Sequence, residues 1–165
     1  MNLPACFVRP EDALDALPLV LVEPSTFDAW RNGQPAFVQA WLTAHAFSPR
    51  AGAPLLVPGA NGHPDFALAG IDDPADPLAL AHLPALLPPG AYRLDPTVPT
   101  QPAPGLVQLG WGLGAYSFDR YVKPSRAPAR LVLEGDGDAE ALALLAAATL
   151  VRDLVNTPTE HMGPA

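Results

Sequence analysis

Prolines divide this sequence into short segments. Twenty-two of its 165 residues are proline, roughly two to three times the average usage, and most of them lie between apolar runs. Because proline fixes φ and lacks a backbone N–H, it belongs in loops and at the ends of helices and strands. A GC-rich genome would also raise the proline content, together with alanine, glycine and arginine. On the structural explanation, the prolines mark where secondary-structure elements end.

Between these loops, apolar strand-like runs alternate with helical patterns. The strand-like runs span residues 5–9, 17–24, 53–59, 65–71, 91–95 and 129–135. Helices are predicted over residues 26–33, 35–47, 76–87 and 137–157, and over a segment that follows the proline-rich loop near residue 100. This alternation predicts an α/β fold with a central sheet flanked by helices. The short Gly-Asn-Gly link between the third and fourth runs suits a hairpin, so the sheet should be mixed.

Three of these elements carry finer expectations. The continuous apolar run at residues 17–24 predicts a strand buried on both faces. Ser25 or Thr26 can cap the helix that follows it. In the helix over residues 35–47, the i, i+4, i+7 spacing of Phe37, Trp41 and Ala44 predicts the buried face.

The share of charged residues in the protein is low. Hydrophobic residues make up 49% of the chain and charged residues 16%, against a usual charged share of about 25%. For a chain of single-domain size, this suggests that another domain or subunit covers part of the surface.

The charge balance argues against a general nucleic-acid binder, since the net charge is −8 and the pI is about 4.7. Four of the nine basic residues nevertheless fall in one stretch, at Arg120, Lys123, Arg126 and Arg130. That stretch is either a solvated helix end and loop, or a local anion or nucleic-acid patch.

The cysteine count and the hydropathy pattern predict a cytoplasmic protein. Cys6 is the only cysteine, so the chain has neither a disulfide framework nor a thiolate zinc site. No apolar run approaches the length of a membrane span. The first residues lack the basic start and apolar stretch of a secretory signal. We therefore expect no membrane partner.

The segment GWGLGAYSFDRY, residues 110–121, looks at first like a phosphate-binding loop. A phosphate loop needs glycines at a strand-to-helix turn, and here a proline-rich loop precedes them instead of an apolar strand. Helical spacing explains the segment better, with two apolar stripes and a narrow face of small residues that allows a close approach to another element. The stripes are Leu106, Leu109, Leu113 and Tyr116, and Trp111, Ala115, Phe118 and Val122; the small face is Gly110, Gly114 and Ser117.

The end of the last helix has its own pattern. Arg152 and Asn156 share a helix face at i, i+4 spacing, and Pro158 ends the helix because it forces Thr157 away from the helical region. We expect Asn156 to satisfy the last helical carbonyls, with no catalytic role.

Two motifs resemble the leucyl aminopeptidase (cytosol aminopeptidase) family. LGWGLGAYSFDRY, residues 109–121, is similar to that family's LGW-A-LG-Y-F-x-x-Y helix, and VRDLVNTPTEHMGP, residues 151–164, is similar to its RDLVNTPxNxxxP segment. Together the motifs cover roughly a sixth of the chain, and the second is the more specific. Glu160 stands where the family commonly has asparagine, which indicates a divergent branch.

The resemblance implies the amino-terminal domain of a metallo-aminopeptidase with a macro-domain-like α/β fold. On this basis residues 1–157 form the domain, and residues 158–165 begin the connection to a catalytic domain. That catalytic domain is expected to bind two divalent ions, zinc or manganese, and to remove amino-terminal residues from peptides within a homohexamer. The family's metal-ligand motifs lie downstream of this sequence. The resemblance therefore places no catalytic, cofactor-binding or metal-binding residue in this chain, and the chain would serve assembly or active-site access.

Other candidate sites have simpler structural explanations. The four histidines, His45, His63, His82 and His161, sit in separate segments with no H-x-x-x-H pair. EGDGDAE, residues 134–140, lacks the spacing of a calcium loop and suits a strand-to-helix turn. GIDDPADP, residues 70–77, is explained by Asp76 as an N-cap before proline. No serine has a G-x-S-x-G setting.

Two alternatives to the non-catalytic aminopeptidase domain stay open. The first is a stand-alone macro-like module that binds a ligand of the ADP-ribose type. The second is anion or nucleic-acid contact through residues 120–130, which the acidic total charge disfavours.

Overall fold

The computed structural model describes residues 3–98, 100–121, 123–124 and 126–159. Within them, six strands form one sheet and five α-helices lie around it, as the sequence predicts. The strands are β1 (Phe7–Val8), β2 (Leu17–Val22), β3 (Leu55–Pro58), β4 (Pro64–Gly70), β5 (Ala91–Leu94) and β6 (Arg130–Val132). The helices are α1 (Phe27–Asn32), α2 (Ala36–Ala44), α3 (Leu83–Leu86), α4 (Pro104–Ala115) and α5 (Ala139–Asn156), and one 3₁₀ turn spans Pro10–Asp12.

The sheet is mixed and mostly parallel. Its strand order is β1-β6-β5-β2-β4-β3, and every neighbouring pair is parallel except β3 and β4. The antiparallel pair is the predicted hairpin. Gly62 has a φ of +80° at its turn, and Asn61 Oδ1 accepts a hydrogen bond from His63 N at 3.0 Å. A residue with a side chain would be strained at that φ.

Both faces of the sheet are covered, and β2 shows the division. Leu19 and Leu21 point into the larger core cluster, which also contains residues of α4 and α5. Val20 and Val22 point into a second cluster with residues of α1 and α2. All four are at most 4% exposed. The prediction that this strand is buried on both faces is confirmed.

Three local expectations are wrong. In α2 the buried residues are Val38 and Leu42, and Phe37 is 56% exposed. Both stripes have helical spacing, and packing against the second cluster selects the one that is buried. No side chain caps α1; the Thr26 hydroxyl instead lies 3.1 Å from Thr100 Oγ1. The predicted helix over 76–87 is mostly a series of turns, with one short helix, α3, at its end.

The helix α4 is shorter than predicted. It ends at Ala115, and Tyr116 is extended at φ −60° and ψ 130°. Ser117 and Phe118 therefore lie outside the helix, and Val122 lies outside the described residues. The most deeply buried side chains of α4 are Val107, Gln108 and Trp111, whereas Leu109 and Leu113 are only partly buried.

Candidate interdomain surface

The outer face of α5 is apolar and exposed. Val155 is 79% exposed, Leu150 60%, Val151 58%, and Leu144 and Leu154 52% each. At 100° per residue these side chains share one side of the helix, and the buried Leu142 and Leu145 lie on the other. An apolar stripe on a surface helix normally packs against another part of the protein. This exposed apolar face fits the expectation, drawn from the low share of charged residues, that another domain or subunit covers part of the surface.

The inner face of α5 is held by close packing and by a cap. Asp138 is the N-cap, and its Oδ1 accepts a hydrogen bond from Ala141 N at 2.9 Å. A Cβ at Gly112 of α4 would overlap the side chain of Leu145 of α5. The glycine therefore allows the two helices to approach closely at this point.

The other glycines of α4 also serve packing. A Cβ on Gly110 would lie 2.7 Å from Pro77 O, and one on Gly114 would overlap the backbone of Ala81. The small-residue face predicted from the sequence thus contacts the backbone of the segment that precedes α3. These positions leave no room for a nucleotide phosphate.

Tyr116 joins the end of α4 to the end of α5. Its hydroxyl donates to Asp153 Oδ1 at 2.8 Å and accepts from Asn156 Nδ2 at 3.2 Å. The Arg152 guanidinium lies 5.2 Å from the centre of the Tyr116 ring, and its Nη1 donates to Leu113 O at 2.8 Å. Partial burial raises the pKa of Tyr116, and the Asp153 carboxylate acts in the same direction.

The sequence pattern predicts that Asn156 satisfies the last helical carbonyls, and this prediction is wrong: its Nδ2 donates to the Tyr116 hydroxyl. The Thr157 hydroxyl satisfies one of these carbonyls instead, donating to Asp153 O at 2.7 Å. Thr157 itself is extended, at φ −84° and ψ 123°, as expected before Pro158. The polar residues of the RDLVNTP motif therefore clamp α5 to α4, which leaves the opposite face of α5 apolar.

The basic segment partly folds back on the domain. Arg120 Nη1 donates to Thr157 Oγ1 at 3.4 Å, and Arg126 Nη2 donates to Ala85 O. Lys123 and Arg130 are exposed. Two of the four basic side chains thus tie the loop after α4 to α5 and α3, and this use competes with binding an external anion.

The remaining candidate sites have structural roles. No group of three or more His, Cys, Asp or Glu side chains that could hold a metal ion occurs in the described part of the chain, and His161 lies outside it. Residues 134–140 form a strand-to-helix turn, with Gly135 and Gly137 at φ +66° and +74°. Asp76 Oδ1 accepts from Leu78 N at 2.8 Å and caps a turn. Of the described helices, none is long and apolar enough to cross a membrane.

These features define a class of protein: an α/β domain whose last helix packs against the domain on one side and exposes apolar side chains on the other. A family model for the M17 aminopeptidase N-terminal domain matches residues 17–134. The chain therefore belongs to the M17 (cytosol or leucyl) aminopeptidase family, as its N-terminal domain.

Three solved structures share the fold of this chain. The crystal structure of a cytosol aminopeptidase from Coxiella burnetii matches with a TM-score of 0.84 and 30% identity over 98% of this chain and 35% of that one. The bottromycin maturation enzyme BotP matches with a TM-score of 0.59 and 23% identity over 90% and 34% of the two chains. BotP in complex with Mn matches with a TM-score of 0.57 and 24% identity over 92% and 34%.

The chain spans about a third of the length of the solved structures that it matches. Comparison with curated proteins gives no match. The sequence motifs led to the correct family, but they gave no sign that Tyr116 connects the two motifs. Only its position at the end of α4 brings its hydroxyl to α5.

Proposed function

We propose that this domain is a non-catalytic part of a two-metal aminopeptidase and that the outer face of α5 binds the catalytic domain. The observation that carries the proposal is the run of exposed apolar side chains from Leu144 to Val155 on a helix that is otherwise well packed. Contiguous apolar surface of this kind marks an interaction site. Its proposed occupant is the domain that follows an N-terminal domain, since the matching family model is an N-terminal domain and this chain covers 35% of the related enzyme.

The chemistry belongs to that following polypeptide. The parent enzyme removes amino-terminal residues from peptides with two divalent ions, zinc or manganese, and works as a cytoplasmic homohexamer. Mn is present in one structure of similar fold. The described residues of this chain do not fit a metal pair, because they bring no three ligating side chains together. The role of this domain is therefore assembly or access to the active site.

The parent reading frame gives the first test. If it continues past Ala165 for about the length of a further domain or two, with a lysine, clustered aspartates and a glutamate in the family order, the proposal is supported. A stop codon directly after Ala165 would contradict it, and the ligand-binding alternative would take its place.

A surface variant tests the docking face in the full-length enzyme. Leu150→Glu combined with Val155→Lys should change the unfolding free energy of this domain by no more than about 0.5 kcal/mol, since both side chains are exposed. The same variant should lower the thermal midpoint of the full enzyme and expose the linker to proteolysis, because it places charges in an apolar interface.

The control is Leu14→Glu, which changes a leucine that is 87% exposed outside α5. It should leave both the domain and the full enzyme unchanged. If the α5 variant also leaves the full enzyme unchanged, another surface holds the catalytic domain.

A further inference from the structure

A cavity opens at the carboxyl ends of β5 and β6. Its volume is about 450 Å³, and the first turns of α4 form its other wall. Cavities at the carboxyl ends of parallel strands are the usual ligand sites of α/β sheets. This volume lies at the lower end of the range of about 300–1,000 Å³ for ligand pockets, so a small molecule fits best.

The interior of the cavity is apolar. Val107, Leu131 and Leu133 line it and are each at most 5% exposed. Leu94, Pro96 and Pro104 complete the apolar part of the wall. An aliphatic or aromatic side chain entering here would lose its contact with water, and that transfer is favourable.

The rim of the cavity carries one charge of each sign. Arg93 of β5 and Glu134, just after β6, both line it, and their closest nitrogen and oxygen are 3.6 Å apart. Charge-assisted hydrogen bonds are normally about 2.7–2.9 Å long, so this pair is loose. Both side chains are also substantially exposed, and each can therefore exchange its present partner for a ligand group.

One buried polar group lies in the wall. Gln108 is 3% exposed, and its Oε1 accepts a hydrogen bond from Asp138 N at 2.8 Å. Among the described residues no hydrogen bond engages its Nε2, so the amide is oriented and its N–H donors are left for a ligand. A ligand oxygen that accepts a hydrogen bond suits this group.

We propose that this cavity binds a free α-amino acid with an apolar side chain. The side chain enters the apolar interior, the carboxylate pairs with the Arg93 guanidinium and accepts from Gln108 Nε2, and the ammonium group pairs with Glu134. A ligand with a single negative charge would face Glu134 unpaired, and one with a single positive charge would face Arg93. A zwitterion supplies a partner of opposite charge for both Arg93 and Glu134.

This binding goes beyond the proposed function and does not depend on it. A connection between the two would follow if the parent enzyme releases apolar amino acids, because the N-terminal domain would then bind a product of the reaction. Only that connection rests on the proposed function; the binding itself concerns this chain alone.

Isothermal titration of the 165-residue chain with L-leucine tests the proposal. We expect saturable binding at one site, with a Kd of about 1 mM or below. N-acetyl-L-leucine lacks the ammonium group and L-leucinamide lacks the carboxylate. Each should bind at least about tenfold more weakly, the effect of losing one hydrogen bond to a charged group. Glycine, which has no side chain to bury, should not bind measurably.

Two variants and a matched control locate the site. Arg93→Gln and Glu134→Gln should each weaken leucine binding about tenfold or more. Arg50→Gln removes one partner of the exposed Arg50–Asp72 pair, which has a 3.4 Å separation and lies outside the cavity, and it should leave binding unchanged. The thermal midpoint of each variant shows that it is folded. Val107→Phe, which fills the cavity, should abolish binding.

Three results would overturn the proposal. They are no heat with L-leucine at a concentration about ten times the expected Kd, binding of the neutral N-acetyl-leucinamide as tight as that of leucine, or leucine binding by Arg93→Gln as tight as that of the wild type. None of them bears on the docking face of α5, because the titration uses this chain alone.

Discussion

The Tyr116 hydroxyl donates a hydrogen bond to Asp153 Oδ1 at 2.8 Å, across 37 residues of sequence. The same hydroxyl accepts from Asn156. One side chain at the end of α4 therefore connects to two polar residues of the RDLVNTP motif. Tyr116 is the first extended residue after α4, and in this conformation its hydroxyl contacts α5.

Replacing Tyr116 with phenylalanine should loosen the end of α5. The variant keeps the ring beneath Arg152 but removes the donor to Asp153 and the acceptor for Asn156. We expect a lower urea midpoint and faster amide hydrogen exchange over the last turn of α5. Asp153→Asn retains an acceptor oxygen and should have the smaller effect. Unchanged exchange in Tyr116→Phe would show that the hydroxyl contacts are not what holds this turn.

Gly114→Ala should destabilise the domain through a backbone clash. The added methyl group would overlap the carbonyl of Ala81, which cannot rotate away as a side chain could. Overpacking of this kind costs about 1–3 kcal/mol, measured as the free energy of unfolding in urea. Gly52→Ala is the control, because its nearest new neighbour, Arg50 O, is 3.7 Å away. It should change stability by no more than about 1 kcal/mol.

Burial of His82 predicts a specific pH dependence of stability. Desolvation lowers the pKa of His82 below its ordinary value of 6.5, although a hydrogen bond to the Ala79 backbone and the charge of Asp72 oppose the shift. The unfolded state therefore takes up this proton at a higher pH than the folded state does. The contribution of His82 to the free energy of unfolding is fully present above pH 6.5. It is lost as the pH falls towards the lowered pKa of His82 in the folded state.

The measurement is urea unfolding of the wild type and of His82→Gln from pH 8 to pH 5. The stability advantage of the wild type over the variant should shrink on acidification. A constant difference across this range would show that His82 titrates alike in both states.

Cys6 should react slowly with alkylating reagents. Burial raises the pKa of the thiol from 9.0 to about 11, against a smaller opposing effect of a backbone hydrogen bond. Only the thiolate is the nucleophile, so at pH 8 alkylation of the folded protein should be roughly a hundredfold slower than in urea. Mass spectrometry after timed iodoacetamide treatment gives both rates. Equal rates would mean that Cys6 is more accessible than its surroundings indicate.

Much of the site could be predicted from the sequence, because its signals are local. Proline at position 158 ends α5 because it forces Thr157 away from the helical region, and the low share of charged residues predicts that a partner covers part of the surface. The RDLVNTP pattern identified the family. By contrast, the stripe that α2 buries depends on which face meets the sheet, and the partner of Asn156 depends on where another helix ends. Neither the buried face of α2 nor the partner of Asn156 is determined by the residues next to it in the sequence.

What the sequence alone determined was the set of elements, the mixed α/β class, the family and the apolar character of α5, since periodicity, proline and turn chemistry act over a few residues. The tertiary structure alone decided the strand order, the end of α4 at Ala115, and the cavity that places Arg93 and Glu134 on one rim. These features join segments tens of residues apart, and only the packing of the whole chain brings such segments together.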